Sequence, residues 1–212
     1  ENSIVSDRST AAVTLTNVAA GTTLEQRGNE VATNANLTAT YVAAATATTL
    51  NINGGTTAGA IAVNGTGLDT MAITSTGADN TVGNITTNGD VTSVSIAATT
   101  DLTATSLGVA SNTGSQSLAI SGAGDVSIGT FDTDFASIDA ASLTGNLTAT
   151  LSATVAATLT SGAGNDVIST STTGQSGAIN AGDGTDTLIL TSTADLNTNA
   201  EGAVYTGFET LR

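Results

Sequence analysis

Ser161-Gly-Ala-Gly-Asn-Asp-Val-Ile168 and Ala181-Gly-Asp-Gly-Thr-Asp-Thr-Leu188 follow one formula, Gly-x-Gly-x-Asp-x-apolar. Their aspartates, Asp166 and Asp186, hold the same place in it and stand 186 − 166 = 20 residues apart. A glycine turn that closes on an acid and returns at a fixed offset predicts stacked windings of a β-solenoid. The expected fold class is all-β, a parallel β-helix with short strands, Gly/Asn/Asp-rich turns and about 20 residues per coil.

The chain on either side of these turns supports that expectation. Apolar residues recur in alternating pairs: Leu50-x-Ile52, Ile61-x-Val63, Met71-x-Ile73, Val94-x-Ile96, Leu118-x-Ile120, Val126-x-Ile128 and Leu188-x-Leu190. A period of two puts both members of a pair on one face of a strand, so each pair predicts a brief strand with one buried side. Between them lie turn formers such as Asn53-Gly-Gly55, Asn64-Gly-Thr-Gly67 and Ser121-Gly-Ala-Gly-Asp125, whose Asn, Asp and Gly tolerate positive φ. Pairs follow one another at close to ten residues in places (71 − 61 = 10, 128 − 118 = 10), so two strand-and-turn units make one coil.

A second echo is Asn36-Leu-Thr-Ala-Thr40, Asp101-Leu-Thr-Ala-Thr105 and Asn146-Leu-Thr-Ala-Thr150. The first 49 residues are less regular, and Tyr41-Val-Ala-Ala-Ala-Thr-Ala47 reads equally as a short helix or a strand. The expected division is therefore an irregular N-terminal β segment, 1–49, of the same unit as a β-solenoid, 50–212, with the acidic turns at 161–190. The segment after Thr191 reads as a loop followed by a further strand at 207–211. No proline or charged linker marks a domain boundary. The opening carries no charged-then-apolar leader, so any export signal is expected outside this stretch, and the chain is expected to be a piece of a longer one.

Composition narrows the function classes. Only 2% of residues are aromatic, against 24 glycines and an apolar fraction of 39% made up chiefly of Ala, Val, Ile and Leu, which suits a thin core repeated along an axis. Eighteen acidic residues face three arginines, with no lysine or histidine, for a net charge of −15. Such a chain repels nucleic acid and anionic membrane surfaces, which are recognised through basic groups. No apolar run reaches the roughly 20 residues of a membrane span, so no membrane insertion is expected. Without cysteine, neither disulfides nor thiolate metal sites can form.

The turns carry the chemistry. Glycines let the backbone bend tightly and present its carbonyls, and the aspartate adds charge. A hard divalent cation, calcium above all, takes roughly six to eight such oxygens. Stacked turns would bring carboxylates into repulsion that a dication reverses, coupling metal to fold. Asp166 and Asp186 lead the expected ligands. Asp183 lies within the second turn and Asn165 offers an amide oxygen in the first. Asp69, in Asn64-Gly-Thr-Gly-Leu-Asp-Thr-Met71, repeats the pattern without an adjacent copy. Asp125 and Asp79 sit in turns one residue short of it.

These turns resemble the glycine- and aspartate-rich nonapeptide of the RTX family, Gly-Gly-x-Gly-x-Asp-x-apolar-x, with Ser161 and Ala181 in place of the first glycine and the copies not back to back. With the Thr/Ala/Gly/Asn-rich background, the absence of cysteine and the Gly-Phe-Glu-Thr-Leu segment at 207–211, the whole chain looks like part of an RTX-type bacterial surface-layer protein. The resemblance implies calcium-dependent folding, secretion to the bacterial cell surface, and assembly of identical copies into a lattice, with cell-surface polysaccharide as a further partner. An adhesin or biofilm-matrix module of the same type is the alternative.

Enzyme chemistry is disfavoured. Without histidine there is no Ser-His or Cys-His nucleophile and no His-ligated zinc. A carboxylate-pair glycosidase or lyase would fall to Asp132 and Asp134, but the aromatic and basic groups that hold sugars are scarce. Their bland reading is a solvated loop anchored by Phe131 and Phe135. Frequent Thr-x-Thr pairs (Thr38/Thr40, Thr103/Thr105, Thr148/Thr150, Thr191/Thr193) read as β-formers facing solvent.

Overall fold

A computed structural model of the chain describes residues 2–29, 33–110, 116–152, 157–171, 175–192 and 199–212. Thr193 and the 195–198 part of the expected loop fall outside them.

The backbone winds as a succession of short parallel strands. The first windings are β1 (Asn2–Asp7) with β2 (Val13–Val18), then β3 (Thr22–Arg27), β4 (Thr33–Asn34) and β5 (Leu37–Tyr41), then β6 (Ala47–Asn53), β7 (Thr57–Ala58) and β8 (Ile61–Asn64). Two strands per winding follow: β9 (Thr70–Thr76) and β10 (Asn80–Asn88), β11 (Ser93–Ala98) and β12 (Leu102–Ala110), β13 (Gln116–Gly122) and β14 (Val126–Ile128), β15 (Phe135–Leu143) and β16 (Leu147–Thr150). The last are β17 (Thr158–Thr160) and β18 (Val167–Ser169), β19 (Ile179–Asn180) and β20 (Thr187–Ile189), a four-residue helix α1 (Asn199–Gly202), and β21 (Tyr205–Thr206) with β22 (Thr210–Leu211).

Every pairing is parallel, and each strand lies beside its counterpart one winding on, giving a ten-stranded sheet (β1-β3-β6-β9-β11-β13-β15-β17-β19-β21) and a twelve-stranded one. This is the β-solenoid that the alternating pairs predict. Leu50, Ile73 and Ile96 form one inward column, fully buried, and Ile61 stacks on Ile85 in the other sheet. Fully burying such side chains is worth about 1.5–3 kcal/mol each, which is why a chain so poor in rings can hold a core. Residues 1–49 belong to the same two sheets. The stretch 41–47 is neither of the expected elements, since Tyr41 ends β5, Ala47 begins β6, and a turn joins them.

The winding averages roughly 23 residues rather than 20. The difference has a physical origin. The second sheet is double upstream: the first half of β10 pairs with β7 at Thr81↔Thr57, and its second half with β8 at Ile85↔Ile61. One half of β12 then continues to β14 at Leu102↔Val126, and the other ends at the bridge Leu107↔Phe131. Upstream coils thus carry an extra strip of strand, with offsets of 23 at Ile73↔Ile96 and 24 at Ile61↔Ile85. Beyond Phe131 the strip is gone and the offset falls to 20 at Leu159↔Ile179, before the last winding lengthens again to 23 at Thr187↔Thr210. Phe131 and Phe135, the largest fully buried side chains, meet edge-to-face with ring centroids 6.4 Å apart where the wide part narrows.

Candidate cation site

Thr187 lies beside Val167, so the register sets Asp186 directly on Asp166 and stacks the two glycine turns at the corner that leads into β18 and β20. Glycine is required there. A Cβ on Gly182 would overlap the carbonyl oxygen of Gly162, and one on Gly184, whose φ is +137°, would overlap that of Gly164 and stand 3.3 Å from the Asp186 carboxylate. The turns therefore pack carbonyl against backbone with no side chain between.

Both carboxylates are fully buried. Oδ1 of Asp166 accepts the Leu147 N–H at 2.6 Å, and its Oδ2 accepts the Ser161 hydroxyl. Oδ1 of Asp186 accepts the Asp166 N–H at 2.7 Å, while its Oδ2 is buried with no hydrogen-bond partner. A buried anionic oxygen without a donor carries a full desolvation cost. Accordingly, burial pushes the Asp166 carboxyl above its ordinary value, against the pull of the Ser161 hydroxyl and the Leu147 and Gly162 N–H groups. Burial also raises Asp186, opposed by the Asp166 N–H and reinforced by the negative charges of Asp166, Glu209 and Asp183.

Of the other expected ligands, Asp183 is exposed, close enough to Asp186 to act on its ionisation, and its N–H donates to the Gly162 carbonyl at 2.9 Å. Asn165 faces outward and spends its amide oxygen on the Thr185 N–H at 2.9 Å. Asp69 is not brought to this corner. It precedes β9, in the other sheet, where its exposed carboxylate accepts the Thr92 hydroxyl at 2.6 Å. Asp132 turns back on its own loop, accepting from the Thr133 hydroxyl and the Asp134 N–H.

Glu209 is a member of the site that the sequence reading passed over. Thr187↔Thr210 pairing places it next to Asp186, whose N–H donates to Glu209 Oε2 at 2.7 Å. The signal was present: Asp186-Thr-Leu188 returns as Glu209-Thr-Leu211. An inward column therefore runs Leu102, Val126, Leu147, Asp166, Asp186, changing from apolar to acidic within one winding, and the exposed Glu209 stands at its end.

One residue earlier runs an outward column with the opposite sense of bonding. Asp79 accepts the N–H of Asp101 (3.3 Å), Asp101 that of Asp125 (2.8 Å), Asp125 that of Asn146 (2.7 Å), and Asn146 that of Asn165 (2.6 Å). Asn36 does the same for Ala60 at 3.0 Å. The repeated word Asx-Leu-Thr-Ala-Thr thus encodes a ladder: the Asx caps the next winding's N–H, Leu and Ala point in, and the first Thr points out.

The inward corner offers oxygen donors and negative charge, the chemistry that a hard divalent cation takes. Among the described residues no three acidic side chains converge as a carboxylate-only centre would require. Of the two carboxylates only Asp186 has an oxygen without a donor, so Asp186, with Asp166 stacked beneath it, is the group that could hold such an ion. Compared with family models, characterised proteins and solved structures, the chain finds no match.

Proposed function

We propose that this chain is a structural segment of a secreted bacterial surface-layer subunit, stabilised by calcium and assembling with identical copies into an extracellular lattice. The observation that carries the reading is Asp186: a fully buried carboxylate, one oxygen without a donor, whose ionisation the charges of Asp166, Glu209 and Asp183 oppose. Calcium placed there would reverse the sign of that repulsion and take carbonyls from the stacked glycine turns. No step of chemistry is asked of the site. Its task is to hold successive windings together, with the RTX-like turns at 161–190 as the clasp.

The test is electron microscopy of the purified chain with calcium added, beside a chelated control. Ordered sheets that dissolve on chelation support the lattice. Isolated rods, with binding to cell-surface polysaccharide, would replace it with the adhesin or biofilm-matrix role. Absence of any calcium effect would overturn the reading.

A further inference from the structure

We infer that the solenoid is two bodies in one, a wide N-terminal part that holds its fold without metal and a narrow C-terminal part, from β17 onward, that depends on a divalent cation. The inference rests on the cation reading above and adds to it a boundary.

Three observations place that boundary. The first is the inward column at the acidic corner. Upstream it is filled by Leu102, Val126 and Leu147, all fully buried, and is closed above them by Asn80. The Asn80 amide is saturated: its oxygen accepts the Thr56 N–H at 2.8 Å, and its nitrogen donates to the Ser75 hydroxyl at 2.9 Å and the Ile52 carbonyl at 3.2 Å. Downstream the same column holds Asp166 and Asp186. Apolar packing supplies the cohesion in one stretch, and buried charge opposes it in the other.

The second is where the upstream acids go. Asp79, Asp101 and Asp125 occur in turns of the same corner but face outward, and each has a main-chain N–H of the next winding as its donor. Those turns satisfy their own backbone and leave no buried carboxylate oxygen to compensate. The third is backbone pairing. β9 to β12 run six to nine residues each; β14 and β16 shorten to three and four while β13 and β15 stay at seven and nine, and only from β17 to β22 are both sheets reduced to two or three. A solenoid's stability is close to a sum over windings and their contacts, so short pairing and buried like charge both lower the C-terminal share. The core is continuous through Leu159, Ile168 and Ile179, but its two largest side chains, Phe131 and Phe135, sit where the extra strip of strand ends.

Hydrogen exchange of the whole chain, read by mass spectrometry with calcium and then with chelator, tests the division. At calcium near 100 times its dissociation constant, chelation is expected to speed exchange on the order of 100-fold in the C-terminal windings. The reporters there are the amides of Leu159, Ile179 and Thr187, each bonded to the next or preceding winding. Amides of β9 to β12 are expected to be unchanged. Acceleration all along the chain would overturn the division while leaving calcium binding intact. No change anywhere would overturn both. As a second arm, an Asp101→Asn/Asp125→Asn double variant is expected to keep the calcium response of the C-terminal amides. Loss of that response would move the cation to the outward ladder and overturn the boundary.

Discussion

The main-chain N–H of Asp166 donates to Oδ1 of Asp186 at 2.7 Å, across 20 residues of sequence and one winding of the solenoid. The same bond recurs on each side of it, from Leu147 to Asp166 and from Asp186 to Glu209. Inside the corner every acid reaches back to the winding before it, and outside the corner every Asp or Asn reaches forward to the winding after it. Two antiparallel rows of side-chain acceptors thus tie one edge of the parallel sheet.

Replacing Asp186 by Asn keeps the acceptor for the Asp166 N–H and removes the charge that Asp166, Asp183 and Glu209 oppose. In chelator, Asp186→Asn is expected to melt higher than the parent chain, by a stability difference on the order of 1 kcal/mol. With calcium the order reverses, because the variant has lost a charged ligand. Thermal unfolding followed by circular dichroism in both buffers checks this, and a variant that gains as much from calcium as the parent would refute it.

The pH dependence of the metal-free chain follows from the same burial. Asp166 and Asp186 both titrate above the ordinary 3.8 in the folded state. Over the window that opens at 3.8, the folded chain therefore binds more protons than the unfolded one, and stability falls as pH rises. Melting temperature in chelator is expected to be higher near about pH 5 than near about pH 7. Saturating calcium competes with those protons and is expected to abolish or invert the slope. A melting series in both buffers decides it, and parallel slopes would count against a cation at these two carboxylates.

The outward ladder predicts an effect of the opposite kind. Asp125 accepts both the main-chain N–H of Asn146 and its side-chain amide, at 2.7 and 3.1 Å. Asp125→Ala removes that acceptor and should cost about 0.5–1.5 kcal/mol. Asp125→Asn retains an oxygen in the same place and drops one of three stacked charges, so it should stay within about 0.5 kcal/mol of the parent. Urea unfolding of both variants distinguishes an acceptor role from a charge role. Equal losses would show that charge, not hydrogen bonding, is what Asp125 contributes.

Much of this architecture is legible in the chain because a solenoid repeats its chemistry. The pairs Met71-x-Ile73, Val94-x-Ile96 and Leu118-x-Ile120 stack in register, and the two Gly-x-Gly-x-Asp turns lie where their spacing puts them. The expected coil of about 20 residues rests on the Asp166 to Asp186 offset, which samples the narrow windings alone, and on apolar pairs ten residues apart, a spacing that holds only in places. The nine-residue strands β10 and β12 each span two strips, and even Gly83-Asn84 inside β10 stays in the strand, so no break announces the extra length. Asp69 shares the turn formula yet enters the other sheet, because a turn's local chemistry does not say which corner of the coil it occupies. Glu209 was hidden by a winding of 23 residues in place of 20. The ladder of Asp79, Asp101, Asp125 and Asn146 escaped because its meaning lies in backbone groups one winding away, which no local pattern displays.

Phe135 offers the sharpest separation of core from clasp. It is fully buried at the head of β15, packed edge-to-face on Phe131 at the point where the extra strip of strand ends at Leu107. Its neighbours belong to rigid parallel strands that cannot collapse far into a vacated space. Phe135→Ala is therefore expected to cost about 3–5 kcal/mol, the cavity adding to the lost transfer energy. That loss should appear in the wide windings, lowering the denaturant midpoint with and without calcium alike, because Asp166 and Asp186 lie beyond the two rings. A calcium-induced stabilisation of unchanged size on top of a large Phe135→Ala loss is the expected result of paired urea titrations. If the variant instead lost its calcium response, the rings and the acidic corner would belong to one cooperative unit, because removing a ring upstream would then have opened the turns that hold the ion.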